Sequence, residues 1–329
     1  KIPLRQMHLS TMTSMLAVSL AMWFALFTLP FTSKAADRLP GQSNKPKLKR
    51  RTRLDILPML MKSKRWNQAE RVANKLMTKH PENPQGIFLA GLIQFQQDRY
   101  RQAIPPFKKA GEIQPNLPKL DKYLAICYFT TRQYSLFKSR IERALLQSPV
   151  DPELFFFWGR YQASVQGDLN RAVRAFNYAL ELRPQYIQAL YYRGSTFYKQ
   201  GDKESAREDF QQSIDLIEKT FFREYSYPYQ AMANLLLEES PKQALQFALR
   251  SVEIQPRLKN THFLVGKIYW RLKQLKKAID ALEYASFLDP TDSRPYYWLH
   301  LLYQHLGKKK DSEMALLEFR RLNQAPQTN

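Results

Sequence analysis

A chain of 329 residues with 44% hydrophobic side chains can bury a substantial core, which excludes wholesale disorder. Its 10 glycines are too few for a many-turned β architecture, and its single cysteine excludes a disulfide framework or a cysteine-built zinc cluster. The net charge of +22 predicts anionic partners (nucleic acid, lipid headgroups, acidic polysaccharide or acidic protein) without choosing among them.

In chain order, residues 9–33 contain no charged side chain, and Met15–Leu29 is a largely apolar run. Lys1 and Arg5 precede it, Pro30 breaks it, and Ser33-Lys34-Ala35-Ala36 follows with small residues at cleavage spacing. That order is the layout of a secretory signal, so residues 1–36 are expected to be a signal peptide or membrane anchor. An exported, periplasmic or envelope-associated location follows. The basic flank of Arg38, Lys45, Lys47, Lys49, Arg50, Arg51 and Arg53 points the other way. Left uncleaved, the segment would hold that flank in the cytoplasm, so an inner-membrane anchor facing the cytoplasm is the alternative. No cysteine lies near the cleavage region, which excludes a bacterial lipoprotein anchor. Residues 37–53 read as a solvated basic linker, of a kind drawn to anionic membrane surfaces.

From residue 54 to 323 the chain repeats itself. Small residues recur at Gly91, Ala125, Gly159, Gly194, Ala233 and Gly266. A second series, Ala69, Ala103, Phe137, Ala172, Ala206, Ala244, Ala278 and Ser312, is spaced 34, 34, 35, 34, 38, 34 and 34. Prolines at 81, 115, 149, 184, 256 and 290 keep the same register. Such a period predicts paired helices whose apolar faces are buried only by stacking neighbours. Turn signals fall between the paired helices, as in Gln97-Asp98-Arg99, Gln166-Gly167-Asp168, Gln200-Gly201-Asp202 and Leu306-Gly307-Lys308. The insertion Phe221–Tyr229 breaks the period and is expected to lengthen a second helix and tuck its aromatics against the next unit. Cys127, inside an apolar run, reads as a buried structural thiol, and residues 324–329 as a polar tail.

The units resemble the tetratricopeptide repeat family. Trp158-Gly159, Ala172, Phe176 and Pro184 carry the pattern, as do Gly266, Tyr269, Ala278, Ala285 and Pro290, or Leu190, Gly194, Phe197, Ala206 and Phe210. The resemblance covers about eight units, with a degenerate first one and a last one that departs at His300 and Ser312. It implies an all-α, right-handed superhelical solenoid of antiparallel helix pairs, and a concave groove facing positions −3, +1 and +4 from each small residue. Those positions supply an aromatic and basic set: Phe88, Phe95, Lys122, Phe129, Phe156, Arg160, Tyr191, Tyr198, Asn234, Phe263, Lys267, Trp270 and Tyr297. Such a ladder suits an extended, acidic or aromatic protein segment, or an anionic polysaccharide. The family's carboxylate clamp is not matched, because Ile126 follows Lys122 and Gln230 precedes Asn234.

Catalytic constellations are missing from the sequence. His8, His80, His262, His300 and His305 form no His-Glu-x-x-His motif, and no phosphate loop or nucleophile elbow occurs. Glu204, Glu208 and Asp209 read as a solvated helix face. No catalytic residue, cofactor or metal is expected, and nucleic acid is the less favoured partner because the basic residues form no single stripe. The function expected is a non-enzymatic, protein-binding scaffold of the cell envelope. A periplasmic module of a polysaccharide or outer-membrane export machine, or a membrane-tethered cytoplasmic adaptor, stands as the alternative.

Overall fold

The computed structural model describes residues 53–220 and 225–324. The expected signal or anchor, most of the basic linker and the polar tail after Gln324 lie outside the described residues. Among those described, every regular element is helical. The helices are α1 (Arg53–Lys62), α2 (Trp66–Lys79), α3 (Pro84–Gln96), α4 (Tyr100–Ile113), α5 (Leu120–Thr130), α6 (Tyr134–Gln147), α7 (Pro152–Tyr161) and α8 (Leu169–Leu182). They continue with α9 (Ile187–Gln200), α10 (Lys203–Lys219), α11 (Tyr227–Leu236), α12 (Pro241–Ile254), α13 (Lys259–Arg271), α14 (Leu275–Leu288), α15 (Ser293–His305) and α16 (Lys309–Gln324). They form eight antiparallel pairs, each an odd-numbered first helix and an even-numbered second one.

The helix ends have local causes. Side chains of Asn83, Asp151, Asp168, Asp202 and Asp292 accept hydrogen bonds from backbone N–H groups of the turns that follow them. Pro84, Pro152 and Pro241 sit in first turns, where no amide donor is needed. The tight turns inside the pairs place Lys64, Asp98, Arg132, Gly167, Gly201, Lys273 and Gly307 at φ between 55° and 86°, in the left-handed region. These residues keep the period of the three sequence series.

Packing explains the series themselves. A Cβ placed on Gly91 would come within 2.7 Å of Phe107, and one on Gly194 within 2.8 Å of Phe210. At Gly91, Gly194 and Gly266 the small residue of the first helix thus meets a large side chain sixteen positions later on the second, and at Gly159, in the 35-residue unit, it meets Phe176 seventeen later. Ala125 is tolerated where that later residue is the smaller Ile141. The alanines of the second series do not open their helices. They lie one turn inside, at the first position facing the partner, and Ala69, Ala103, Ala172, Ala206, Ala244 and Ala278 are fully buried.

Successive first helices touch one another (α1–α3, α3–α5, α5–α7, α9–α11 and α11–α13), whereas successive second helices stay farther apart. The stack therefore curves with its first helices on the concave side, as a right-handed superhelical solenoid. This inner row is looser between α7 and α9 and between α13 and α15.

Three departures from the repeat pattern have distinct solutions. The 35-residue unit gains its residue between Gly159 and Gly167, where Gln162–Gln166 forms a π turn at the end of α7. The 38-residue unit lengthens α10 to 17 residues, against 14 in most second helices, and Tyr225 packs edge-on against Tyr191 with ring centroids 5.8 Å apart. Residues 221–224 of that insertion lie outside the described residues. In the last unit the two departures answer each other: Ser312 Oγ lies 2.8 Å from Nδ1 of His300.

One sequence expectation is overturned. Asp209 is not on a solvated face but is 4% exposed, because Arg193 of α9 reaches it with Nη2 at 2.6 Å and Nε at 2.9 Å. Burial raises its carboxyl above the ordinary range, and the Arg193 guanidinium opposes that rise. Arg193 also donates to Asn177 of α8, so one side chain ties three helices. Cys127 is fully buried as expected, and burial pushes its thiol up to about 12.

Candidate functional site

A hollow of about 730 Å³ opens on the concave side between α7 and α15. Its lining comes from the first helices α7, α9, α11, α13 and α15, with Phe210 as the one contribution from a second helix. Of the residues expected to face a groove, Arg160, Tyr191, Tyr198, Asn234, Phe263 and Lys267 line it. The four charged residues of the lining, Arg160, Lys199, Lys267 and Arg294, are all cationic.

The remaining expected residues lie elsewhere, each for a packing reason. Phe88 and Phe95 are half-buried and pack on Phe107 and Tyr123, with Phe95 and Tyr123 centroids 4.9 Å apart. Phe129 and Phe156 are 7% and 5% exposed, so they are core residues rather than surface ones. Both lie within reach of the Arg160 guanidinium and form part of its bed. Lys122 is drawn off by α7: its Nζ lies 2.6 Å from Asp151 and 2.7 Å from Glu153. Burial alone would lower that ammonium, but its two carboxylate hydrogen bonds raise it above the ordinary range. Trp270 packs edge-on to Trp298 at 6.2 Å, and Tyr297 packs against Phe319 of α16. The aromatic ladder therefore splits. Its N-terminal rungs are interior, its central rungs line the hollow, and its last rungs brace the final units.

Sequence reasoning missed Tyr227, Asn260 and Arg294, which also line the hollow. Tyr227 and Asn260 sit six positions before the small residue of their unit, and Arg294 six before His300, which takes that place in the last unit. That is one turn up the same helical face as the positions read, so extending the stripe by a turn would have found them.

The chemistry of the hollow is mixed. Tyr191 is mostly enclosed, and burial pushes its phenol up to about 12, so at neutral pH it is an uncharged donor and acceptor. Gln230 and Asn234, one turn apart on α11, offer amide groups, and Asn234 donates to the Tyr198 hydroxyl at 3.3 Å. The Lys267 ammonium lies 5.7 Å from the Trp298 ring, and the Arg294 guanidinium 5.0 Å from the Phe263 ring. Arg294 is also held by Asp292 at 2.6 Å. Arg160 is the deepest cation: its guanidinium lies 4.6 Å from the Tyr192 centroid and 4.7 Å from that of Phe129.

Two segments match family models of the tetratricopeptide repeat, residues 162–218 and residues 260–292. Tetratricopeptide repeat protein 37 of Xenopus laevis is 28% identical over 119 residues, a stretch that covers 35% of this chain and only 8% of that protein. Among solved structures, the APC/C hetero-tetramer Cut9–Hcn1 superposes with a TM-score of 0.65 at 16% identity, covering 80% of this chain and 48% of the other. A monomeric mutant of IFIT1 with m7Gppp-AAAA gives a TM-score of 0.54 at 15% identity, covering 82% and 71%. At those identities the likeness speaks for the fold alone. The matches identify tetratricopeptide repeats at residues 162–218 and 260–292, and the eight stacked helix pairs carry the same register of small residues, alanines and prolines through the rest of the array.

Proposed function

We propose that the chain is a non-enzymatic scaffold that holds an extended segment of a partner protein in the hollow between α7 and α15. The observation that carries this reading is the lining: tyrosines and two phenylalanines beside amides, with four cations and no carboxylate. Aromatic faces take apolar side chains, and amides pair with a peptide backbone, which alternates donors and acceptors. The positive charge favours an acidic segment. Solenoids of this kind use their concave surfaces for such contacts. The basic and apolar order of residues 1–36 supports placing the scaffold in the cell envelope, after export or on a membrane anchor.

The test is site-specific photo-crosslinking in the native cell. A photoreactive phenylalanine is placed at Tyr198 inside the hollow, or at Tyr178, which is 55% exposed on the second helix α8. Discrete partner adducts are expected from position 198 and not from 178. Identical adduct patterns from the two positions would sink the reading.

A further inference from the structure

Arg160 differs from every comparable arginine in the molecule. Among the described residues, four arginines are half-buried: Arg140, Arg160, Arg193 and Arg207. Three of them are neutralised, Arg140 by Asp121 at 2.7 Å, Arg193 by Asp209 at 2.6 Å and Arg207 by Glu239 at 2.8 Å. Arg160 has no carboxylate partner among the described residues, and its buried Nε has no hydrogen-bond partner there either. Its contacts are aromatic: Tyr192 and Phe129, then Phe156 and Phe157 at 5.6 Å each. Cation–π contacts engage the π faces of these rings and leave the in-plane N–H fork of the guanidinium uncommitted. The fork belongs to a side chain that lines the hollow.

A half-buried guanidinium without a counter-charge costs stability, and in three other places the fold meets that cost with a carboxylate of its own. We propose that at Arg160 the carboxylate comes from the partner: the base of the hollow is a carboxylate-receiving site, and the segment held there brings one acidic group to the guanidinium beside Tyr192. This rests on reading the hollow as a peptide groove. A carboxylate is the matching anion because its two oxygens meet the guanidinium fork in a bidentate pair. A nucleic acid strand is the poorer match. It needs a row of free cations, whereas Arg294 is spent on Asp292 and only Arg160 is deep and uncommitted. It also offers mostly acceptors along its backbone, which would leave the carbonyl oxygen of Asn234 unmatched, while that of Gln230 already accepts from Thr261.

The experiment uses the full chain, as wild type, Arg160→Gln and Arg160→Lys, on an array of random dodecapeptides made both as free acids and as amides. Bound sequences are resynthesised and their affinities measured by fluorescence anisotropy, beside a random-sequence RNA oligonucleotide. Wild type is expected to select acidic peptides. Arg160→Gln should lose about tenfold or more of that affinity, and Arg160→Lys should recover only part, since a lysine lacks the fork. Selection that depends on the free acid form assigns the carboxylate to a chain end; selection indifferent to amidation assigns it to an Asp or Glu side chain. Thermal unfolding separates these effects from misfolding: Arg160→Gln should melt at or above the wild-type temperature, because an uncompensated charge is removed. Equal affinity of wild type and Arg160→Gln for the selected peptides would overturn the carboxylate site and leave the groove standing. Failure of wild type to bind any peptide would overturn both, and RNA bound more tightly than every peptide would replace the carboxylate with a polyanion.

Discussion

Lys64, Arg132 and Lys273 hold left-handed backbone positions that Gly167, Gly201 and Gly307 fill elsewhere. A side chain with a Cβ pays about 1–2 kcal/mol for that conformation, while glycine pays only its larger unfolded-state entropy. Lys273→Gly and Arg132→Gly are therefore expected to stabilise the array by about 0.5–1 kcal/mol each. Urea denaturation checks this, and a lower midpoint in either variant would contradict it. The sequence marked these turns only where glycine or Asp98 stood, because nothing in a lysine side chain announces a positive φ. The same blindness hid Asp209. A carboxylate at helical spacing looks solvated until the arginine of another helix is seen to meet it, and Arg193 lies sixteen residues away in sequence.

At the scale of elements, the π turn after α7 is the feature most closely tied to the hollow. It begins two residues after Arg160, and Ala163 and Ser164 within it line the cavity. It also lies at one of the two places where the inner row of first helices is looser, between α7 and α9; the other is between α13 and α15. A π turn is a costlier backbone than the α-helix it interrupts. Deleting Ser164, an exposed residue, restores the seven-residue spacing from small residue to turn seen at Gly91–Asp98 and Gly194–Gly201. The expected result is a thermal stability held or raised, with peptide affinity reduced severalfold; unchanged affinity would make the turn a mere accommodation of an extra residue. The sequence revealed the extra residue as a 35-residue spacing. It did not reveal the turn, since a period records how many residues there are and not which hydrogen bonds absorb them. The groove was legible in the same partial way. Helical phase found Arg160, Tyr191, Tyr198, Asn234, Phe263 and Lys267. Phase alone could not separate them from Phe129 and Phe156, which share it but are covered by the neighbouring unit.

For the whole molecule, the apolar interior divides into four clusters along the stack. The two large central ones reach from Ala103 to Leu190 and from Ile187 to Ile268, and the smaller ones occupy the first and last units. Stability in such an array is approximately a sum of units and nearest-neighbour interfaces, so its ends should open first. Native-state hydrogen exchange is expected to show the strongest protection in α5–α12 and the weakest in α1–α2 and α15–α16. Uniform protection throughout would mean that the stack unfolds as one cooperative body. The solenoid itself was the most legible part of the sequence, because small residues, alanines and prolines are each demanded by a separate steric reason and recur together.

The 35- and 38-residue units carry one further consequence. After the 35-residue unit the next pair resumes its ordinary spacing, Gly194 and Gly201 falling seven apart as Gly91 and Asp98 do. After the 38-residue unit the pair α11–α12 runs one residue short, eleven from Ala233 to Ala244 against twelve from Gly91 to Ala103, and Gly266 and Lys273 are seven apart again. Length changes are absorbed within one or two pairs and are not handed on down the stack. A chain built this way can be lengthened or shortened by a residue in one repeat without re-threading the others. A binding surface can then be reshaped locally on a framework that stays in step, as punctuation restarts a metre after an irregular line.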